Sequence, residues 1–248
     1  MRLALLSDIH GNLIALEAVL ADVERAAVDR IVCLGDVAAT GTQPRDCLQR
    51  VEALGCPVVM GNTDERFAHP DQKSDDTTES DDEEWQRFLE IDAWCRAQIG
   101  KDEQRFAQSF QPTVALQLGD GLTFLGYHGS PRSNREIIRL STDDETLTEL
   151  LEGASASVMA GGHTHRVMLR KLGGSLLVNP GSVGMPYEQF ADGTLRHPPY
   201  AEWAIVSVNA GQINVDFRRT AIDRAAIIAA AFDRGMPHAE WWAKEWRV

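Results

Sequence analysis

Five short apolar runs in this chain stop at side chains able to hold a metal ion. Residues 3–6 run into Asp8 and His10, residues 30–34 into Gly35 and Asp36, and residues 57–60 into Gly61, Asn62, Thr63 and Asp64. Residues 122–126 run into Tyr127 and His128, and residues 157–160 into Gly162, His163, Thr164 and His165. Carboxylate, imidazole and amide donors suit borderline divalent ions such as Mn, Fe, Co, Ni or Zn. The absence of cysteine from all five stretches argues against structural zinc or an iron–sulfur cluster. In an extended chain Asp8 and His10, two residues apart, leave on the same side and can converge on one cation. Each motif alone also reads as a turn or a cap, as Asp36 does for the turn that follows it. Turn propensity does not account for the same chemistry after successive strands.

The elements that must position these groups follow from periodicity. Residues 3–6 are too few for a helix and read as a buried strand. Residues 13–27 place Leu13, Leu16, Val19, Leu20 and Val23 at helical spacing, so the chain opens as half of a βαβ unit. In a parallel sheet the carboxyl ends of the strands share one edge, where α/β proteins place their ligands. Pro44 starts a helix through Glu52, and residues 57–60 predict a third strand whose Gly61 lets the backbone turn sharply. Residues 65–111 form an insert in which Asp71, Asp75, Asp76, Glu79, Asp81, Asp82, Glu83 and Glu84 read as solvated loop without the glycine-centred spacing of a calcium loop. Beyond it Trp85, Phe88, Leu89, Ile91, Trp94 and Ile99 predict a helix with a packing face or a lid, packing being the better fit.

Residues 113–118 and 122–126 then read as a hairpin, and Thr142 with Glu145 as the capping box of a helix through Leu151. A hairpin over 167–172 and 175–178 leads to the tight turn Asn179-Pro180-Gly181-Ser182. A late hairpin over 204–208 and 213–219 precedes a helix over 221–232. Trp241, Trp242 and Trp246 are expected to pack on the body of the protein.

Composition narrows the partners. Lys and Arg number 24 against 37 Asp and Glu, a formal charge of −13 without a basic block, which excludes tight duplex nucleic-acid binding. A small anionic substrate stays open, because a bound dication inverts the sign of a local site. Cys33, Cys47, Cys56 and Cys95 have neither zinc-site spacing nor disulfide-scaffold density, so reduced, mostly buried thiols are expected. The opening apolar stretch breaks at Ser7 and Asp8, so no secretory leader is expected, and no run of about 18 apolar residues predicts a membrane span. These features point to the cytoplasm.

In order, Asp8-Ile9-His10, Gly35-Asp36, Gly61-Asn62-Thr63-Asp64, His128 and Gly162-His163-Thr164-His165 resemble the five boxes of the calcineurin-like metallophosphoesterases, over residues 8–165. The Asn179 turn is similar to one in the small bacterial and archaeal phosphodiesterase-type branch. The resemblance implies an α/β fold, a four-layer αββα sandwich of two mixed β-sheets flanked by helices. Residues 1–248 would form one domain carrying the acidic helical insert. It implies two divalent transition-metal ions, Asp8, His10 and His165 holding one, Asn62, His128 and His163 the other, and Asp36 bridging them. A hydroxide between the ions would attack phosphorus. Asn12 and Arg132, or Arg135, are candidate substrate contacts. His69, His197 and His238 lie outside the boxes and need no special role.

One position departs from the pattern. Many relatives carry a general-acid histidine, paired to the following acid, where this chain has Thr63, although Asp64 is retained. Threonine cannot supply that proton near neutral pH, which favours substrates with good leaving groups unless another group, His69 or His197 among them, substitutes. The expected activity is hydrolysis of phosphodiesters, with phosphomonoesters and nucleotides left open, as is a homo-oligomer. The alternative is a non-catalytic metal-binding interaction scaffold on the same fold.

Overall fold

The computed structural model describes residues 1–69 and 83–247. The chain begins with β1 (Arg2–Leu6), α1 (Leu13–Arg25), β2 (Arg30–Cys33), α2 (Pro44–Leu54) and α3 (Asn62–Ala68). Then come α4 (Glu83–Ala97), α5 (Lys101–Gln108), β3 (Val114–Gly119), β4 (Leu122–Gly126), α6 (Asp144–Leu151) and β5 (Val158–Ala160). The hairpin β6 (Met168–Leu172) and β7 (Ser175–Asn179) is followed by a small ribbon, β8 (Glu188–Gln189) and β9 (Leu195–Arg196). The long hairpin β10 (Tyr200–Asn209) and β11 (Gln212–Ala221), α7 (Arg224–Asp233), α8 (Ala239–Trp242) and a 3-10 turn, Ala243–Trp246, close the chain.

Two mixed sheets result. One has the order β11-β10-β1-β2, with β1 and β2 parallel, and the other β3-β4-β5-β7-β6, with β4, β5 and β7 parallel. Strand alternation sorts the side chains into three apolar layers. Leu3 and Leu5 of β1 meet Val158 and Ala160 of β5 between the sheets. Ala4 and Leu6 point the other way, to α1, α2 and α7, while Met159 faces α6 through Leu147 and Leu151. This is the expected αββα layering.

Ile91 and Cys95 of α4 and Ala107 of α5 join the core under α1 and α2, so this helical segment packs as part of the outer layer. The acidic residues 71–82 lie outside the described residues; Glu83 and Glu84 open α4. Trp242 and Trp246 are buried against the same core, as expected. Other expectations are corrected. Residues 57–60 form no named strand: Val58 and Val59 make single bridges to Cys33 and Gln111, because the chain turns into α3 too soon to extend the ladder. The cap of α6 is Asp143, which accepts from the Thr146 N–H, while the Thr142 hydroxyl accepts from the Arg139 N–H.

The ends of β1 and β7 are joined through their loops. Val183 and Gly184 N–H donate to the Ser7 and Asp8 carbonyls at 2.9 Å, and the Ser182 hydroxyl donates to the same Asp8 carbonyl at 2.8 Å. A Cβ on Gly184 would lie 1.7 Å from the Ile9 carbonyl oxygen. Gly184→Ala is therefore expected to destabilise the fold by about 1–3 kcal/mol, read as a melting temperature several degrees lower. An unchanged melting curve would contradict this close approach.

Candidate metal centre

Asp8 and His10 do not converge as an extended chain would bring them together. Both lie beyond the end of β1 with φ of 55° and 47°, in the left-handed region, and Asp36, His163 and His165 share that conformation at 56°, 66° and 55°. Left-handed backbone is uncommon outside glycine and persists where the surroundings over-determine it. Here the Asp8 and His10 N–H groups donate to the Gly35 and Asp36 carbonyls, locking the first two loops together. Gly61 is needed for proximity and not for a turn, since its φ is −79° and a Cβ there would lie 2.1 Å from Asp36 Oδ1.

Two groups form at this edge. Asp8, His10 and His165 bring ligand atoms within 4.8 Å of one another, and Asp36, His128 and His163 do the same. Asn62 adjoins the second, its Oδ1 lying 3.1 Å from His128 Nε2. Asp36 Oδ2 stands between the groups, 3.7 Å from His10 Nε2 and 3.4 Å from His128 Nε2. His10, His128 and His165 each direct Nδ1 at a backbone carbonyl, that of Ala39 at 3.2 Å, Leu34 at 2.7 Å and Met185 at 2.7 Å. An Nδ1–H donated to a carbonyl leaves Nε2 as the bare donor atom in a neutral ring. His10 Nε2 and His165 Nε2 face each other at 3.0 Å, and Asp8 Oδ1 lies 3.3 Å from the latter, close enough for the three to share one cation.

The electrostatics have the same sense. Burial works against charge on Asp36, but the His128 charge and hydrogen bond outweigh it and hold the carboxyl well below its usual range. Burial opposes a charged His128 too, yet Asp36 raises it to about 10, whereas burial and His165 lower His10 to about 4. The buried carboxylates thus call for positive charge on the imidazole side, which a proton or a divalent cation supplies. The donor set fits borderline divalent ions.

The remaining predicted residues fall elsewhere. Asn12 caps α1: its Oδ1 accepts from the Ala15 N–H and its Nδ2 donates to the Gly184 carbonyl. Arg132 pairs with Glu136 at 2.7 Å, and Arg135 with Glu65. His69 is exposed at the end of α3, and His197 is separated from His165 by the Tyr187 ring. Asp64 holds a loop in place. Its two oxygens accept from the N–H groups of Asp36, Val37 and Gly61 at 2.7, 2.8 and 3.2 Å, so it clamps the Asp36 loop. Met185 and Tyr187 were missed altogether; the turn at Asn179, one more strand end on this edge, was their available signal.

The model of the calcineurin-like phosphoesterase superfamily domain matches residues 1–210. The chain belongs to this superfamily. Its fold is similar to that of a metallophosphoesterase from Sphaerobacter thermophilus, at 24% identity, TM-score 0.72 and coverage of 99% of this chain and 98% of that one. A hypothetical protein from Pyrococcus horikoshii OT3 gives 16% identity, TM-score 0.78 and coverage of 96% and 94%. An uncharacterized protein of Methanocaldococcus jannaschii is 44% identical over 62 residues, 25% of this chain and only 26% of that protein's length. This member of the superfamily carries two candidate metal-ligand groups among its described residues. Among the described residues no helix is long and apolar enough to cross a membrane.

For Asn12→Ala, the lost cap is expected to lower stability by about 1 kcal/mol with KM unchanged. A raised KM at unchanged stability would return Asn12 to the substrate.

Proposed function

We propose that this chain is a metal-dependent phosphodiesterase, acting as one domain, in which Asp8, His10 and His165 hold one divalent transition ion and Asn62, His128 and His163 hold a second. Asp36 serves both. The observation that carries this reading is the Asp36 Oδ2 atom, within 3.7 Å of an imidazole nitrogen of each group. Two divalent ions supply Lewis-acid charge, activating water at neutral pH and offsetting negative charge on the phosphoryl oxygens. The chain's own residues fix where that charge sits: carbonyl partners set the imidazole tautomers, and Asp64 holds the Asp36 loop against Gly61.

A diester is favoured over a monoester on charge. A phosphomonoester dianion calls for cationic partners beyond the ions, and Arg132 and Arg135 are already paired with Glu136 and Glu65. Free thiols at all four cysteines suit a reducing compartment such as the cytoplasm. Among the described residues, position 63 supplies no group that protonates the leaving oxygen near neutral pH. Thr63 donates its backbone N–H to Asp36 Oδ1 at 3.0 Å, and its buried hydroxyl has no hydrogen-bond partner among the described residues. A histidine introduced there finds Asp64 already committed.

Chelation is expected to abolish hydrolysis of bis(p-nitrophenyl) phosphate, with Mn, Co or Ni restoring it. Asp36→Asn should lose about tenfold more activity than Asn62→Ala, because the carboxylate serves both groups and carries charge. Equal, mild losses in the two variants would sink the bridging role of Asp36, and metal binding without turnover of any phosphoester would favour the scaffold alternative.

General-acid catalysis is typically worth about 10²–10⁴-fold. Rates across a series of aryl and alkyl diesters should therefore fall steeply as leaving-group pKa rises, and Thr63→His should leave that slope unchanged. A wild-type rate insensitive to the leaving group would reveal a proton donor that this reading lacks.

A further inference from the structure

A cavity of about 240 Å³ opens between α4 and α8, walled by Phe88, Trp241 and Trp242 and backed by Met185 and His197. Phe88 meets Trp241 edge-on at 5.1 Å, and the Arg87 guanidinium lies over the Trp241 ring at 5.6 Å. Trp241 is partly exposed while Trp242 is buried, so Trp241 is the ring that meets whatever enters.

Two of these walls touch the candidate metal centre through one hydrogen bond or one residue. The Met185 carbonyl accepts from His165 Nδ1–H at 2.7 Å. Trp242 Nε1–H donates to the Thr40 carbonyl at 3.0 Å, and the Thr40 hydroxyl lies 3.1 Å from His10 Nδ1 and 3.2 Å from Met185 Sδ. A series of rings also leads outward from the centre. His10, His165, Tyr187, His197 and Trp246 follow one another with centroid separations of 4.8, 5.5, 4.8 and 4.3 Å.

The chemistry of the cavity selects its ligand. At the rim Arg87 and Lys244 are balanced by Glu84 and Glu245, two charges of each sign, so phosphate gains no net attraction there. The volume falls short of the about 300–1,000 Å³ of pockets that enclose a whole small ligand, and suits one flat ring system. Rings of any sequence stack on indole and phenyl faces, because every base has a π-face.

We propose that this cavity takes a neutral, flat aromatic group, such as a nucleobase, carried by the phosphoester whose phosphate meets the two ligand groups. The inference rests on the phosphodiesterase reading and adds a substrate class to it. Trp241, Trp242 and Lys244 lie beyond residue 210, past the superfamily match.

The first test is NMR of the tryptophan indole N–H groups in zinc-loaded protein, titrated with AMP, phenylphosphonate and methylphosphonate. AMP is expected to shift Trp241 and Trp242 and to leave Trp203, buried between sheet and helices, unmoved. Phenylphosphonate matching AMP would support a site for any aryl ring, and a weaker response would point to a nucleobase. AMP leaving both indoles unmoved, or methylphosphonate moving them equally, would overturn the proposal.

The second test compares p-nitrophenyl diesters whose other ester group is thymidin-5′-yl or methyl. The thymidine ester is expected to have a kcat/KM about tenfold higher, toward the low end of what stacking a base on an aromatic ring is worth. Trp241→Ala should remove most of that preference, and Trp241→Phe should keep much of it. Hydrolysis without preference, with Trp241→Ala leaving kcat/KM for both p-nitrophenyl esters unchanged, overturns the ring site and leaves the phosphodiesterase reading standing; a Trp241→Ala loss shared equally by both esters places the p-nitrophenyl ring in the cavity and upholds the ring site. Ring-dependent indole shifts with no hydrolysis of either ester uphold the ring site and overturn the phosphodiesterase reading.

Discussion

Asp8 and Asp36 are buried in one cluster, with 0% and 2% of their surface exposed, and each raises the cost of the other's charge. Like charges withdrawn from water together are tenable only with compensating charge and hydrogen bonds. The chain supplies both. The Ser7 hydroxyl donates to Asp8 Oδ2 at 2.6 Å, and the His163 N–H donates to the same oxygen at 3.1 Å. Thr63 N–H does the same for Asp36. Four imidazoles surround the pair, and the cluster takes positive charge on their side. The concentration of histidine at this edge is the counterpart of the two aspartates.

Holding that cluster shapes the loops around it. Five of its residues adopt left-handed backbone, a conformation kept only because neighbouring loops bond across one another. Asp64, two residues after Asn62, carries the load for the second loop by accepting three backbone N–H groups. The loop after β7 does so for the first, through Ser182, Gly184 and Asn12. The two sheets serve mainly to bring five strand or near-strand ends to one edge.

Much of this could be read from the residues. The sandwich was legible through the resemblance of the five boxes to a known family, since β1 and β5 are apolar throughout and show no alternation of their own, and the recurrence of Asp, Asn and His after apolar runs located the edge. Less legible was anything that depends on contacts distant in sequence. The side-chain convergence of Asp8 and His10 was derived from an extended chain, whereas the structure achieves it with left-handed turns, which periodicity does not encode. The short stretch around Val58 has strand composition but only single bridges. Asn12 and Asp64 carry groups that serve catalysis and capping equally well on paper, and their partners, Gly184 and the Asp36 loop, are distant in sequence. Tyr187 and Met185 carry no metal-ligand signature, and only the turn at Asn179, at the end of β7, hints that their loop lies on this edge.

The central claim is that two ions sit in the two groups with Asp36 between them. Anomalous diffraction from crystals grown with manganese tests it most directly. The account predicts two separate anomalous peaks, one among Asp8, His10 and His165 and one among Asp36, Asn62, His128 and His163, with Asp36 density reaching both. A single peak at saturating manganese, or peaks that leave Asp36 uncoordinated, would contradict it.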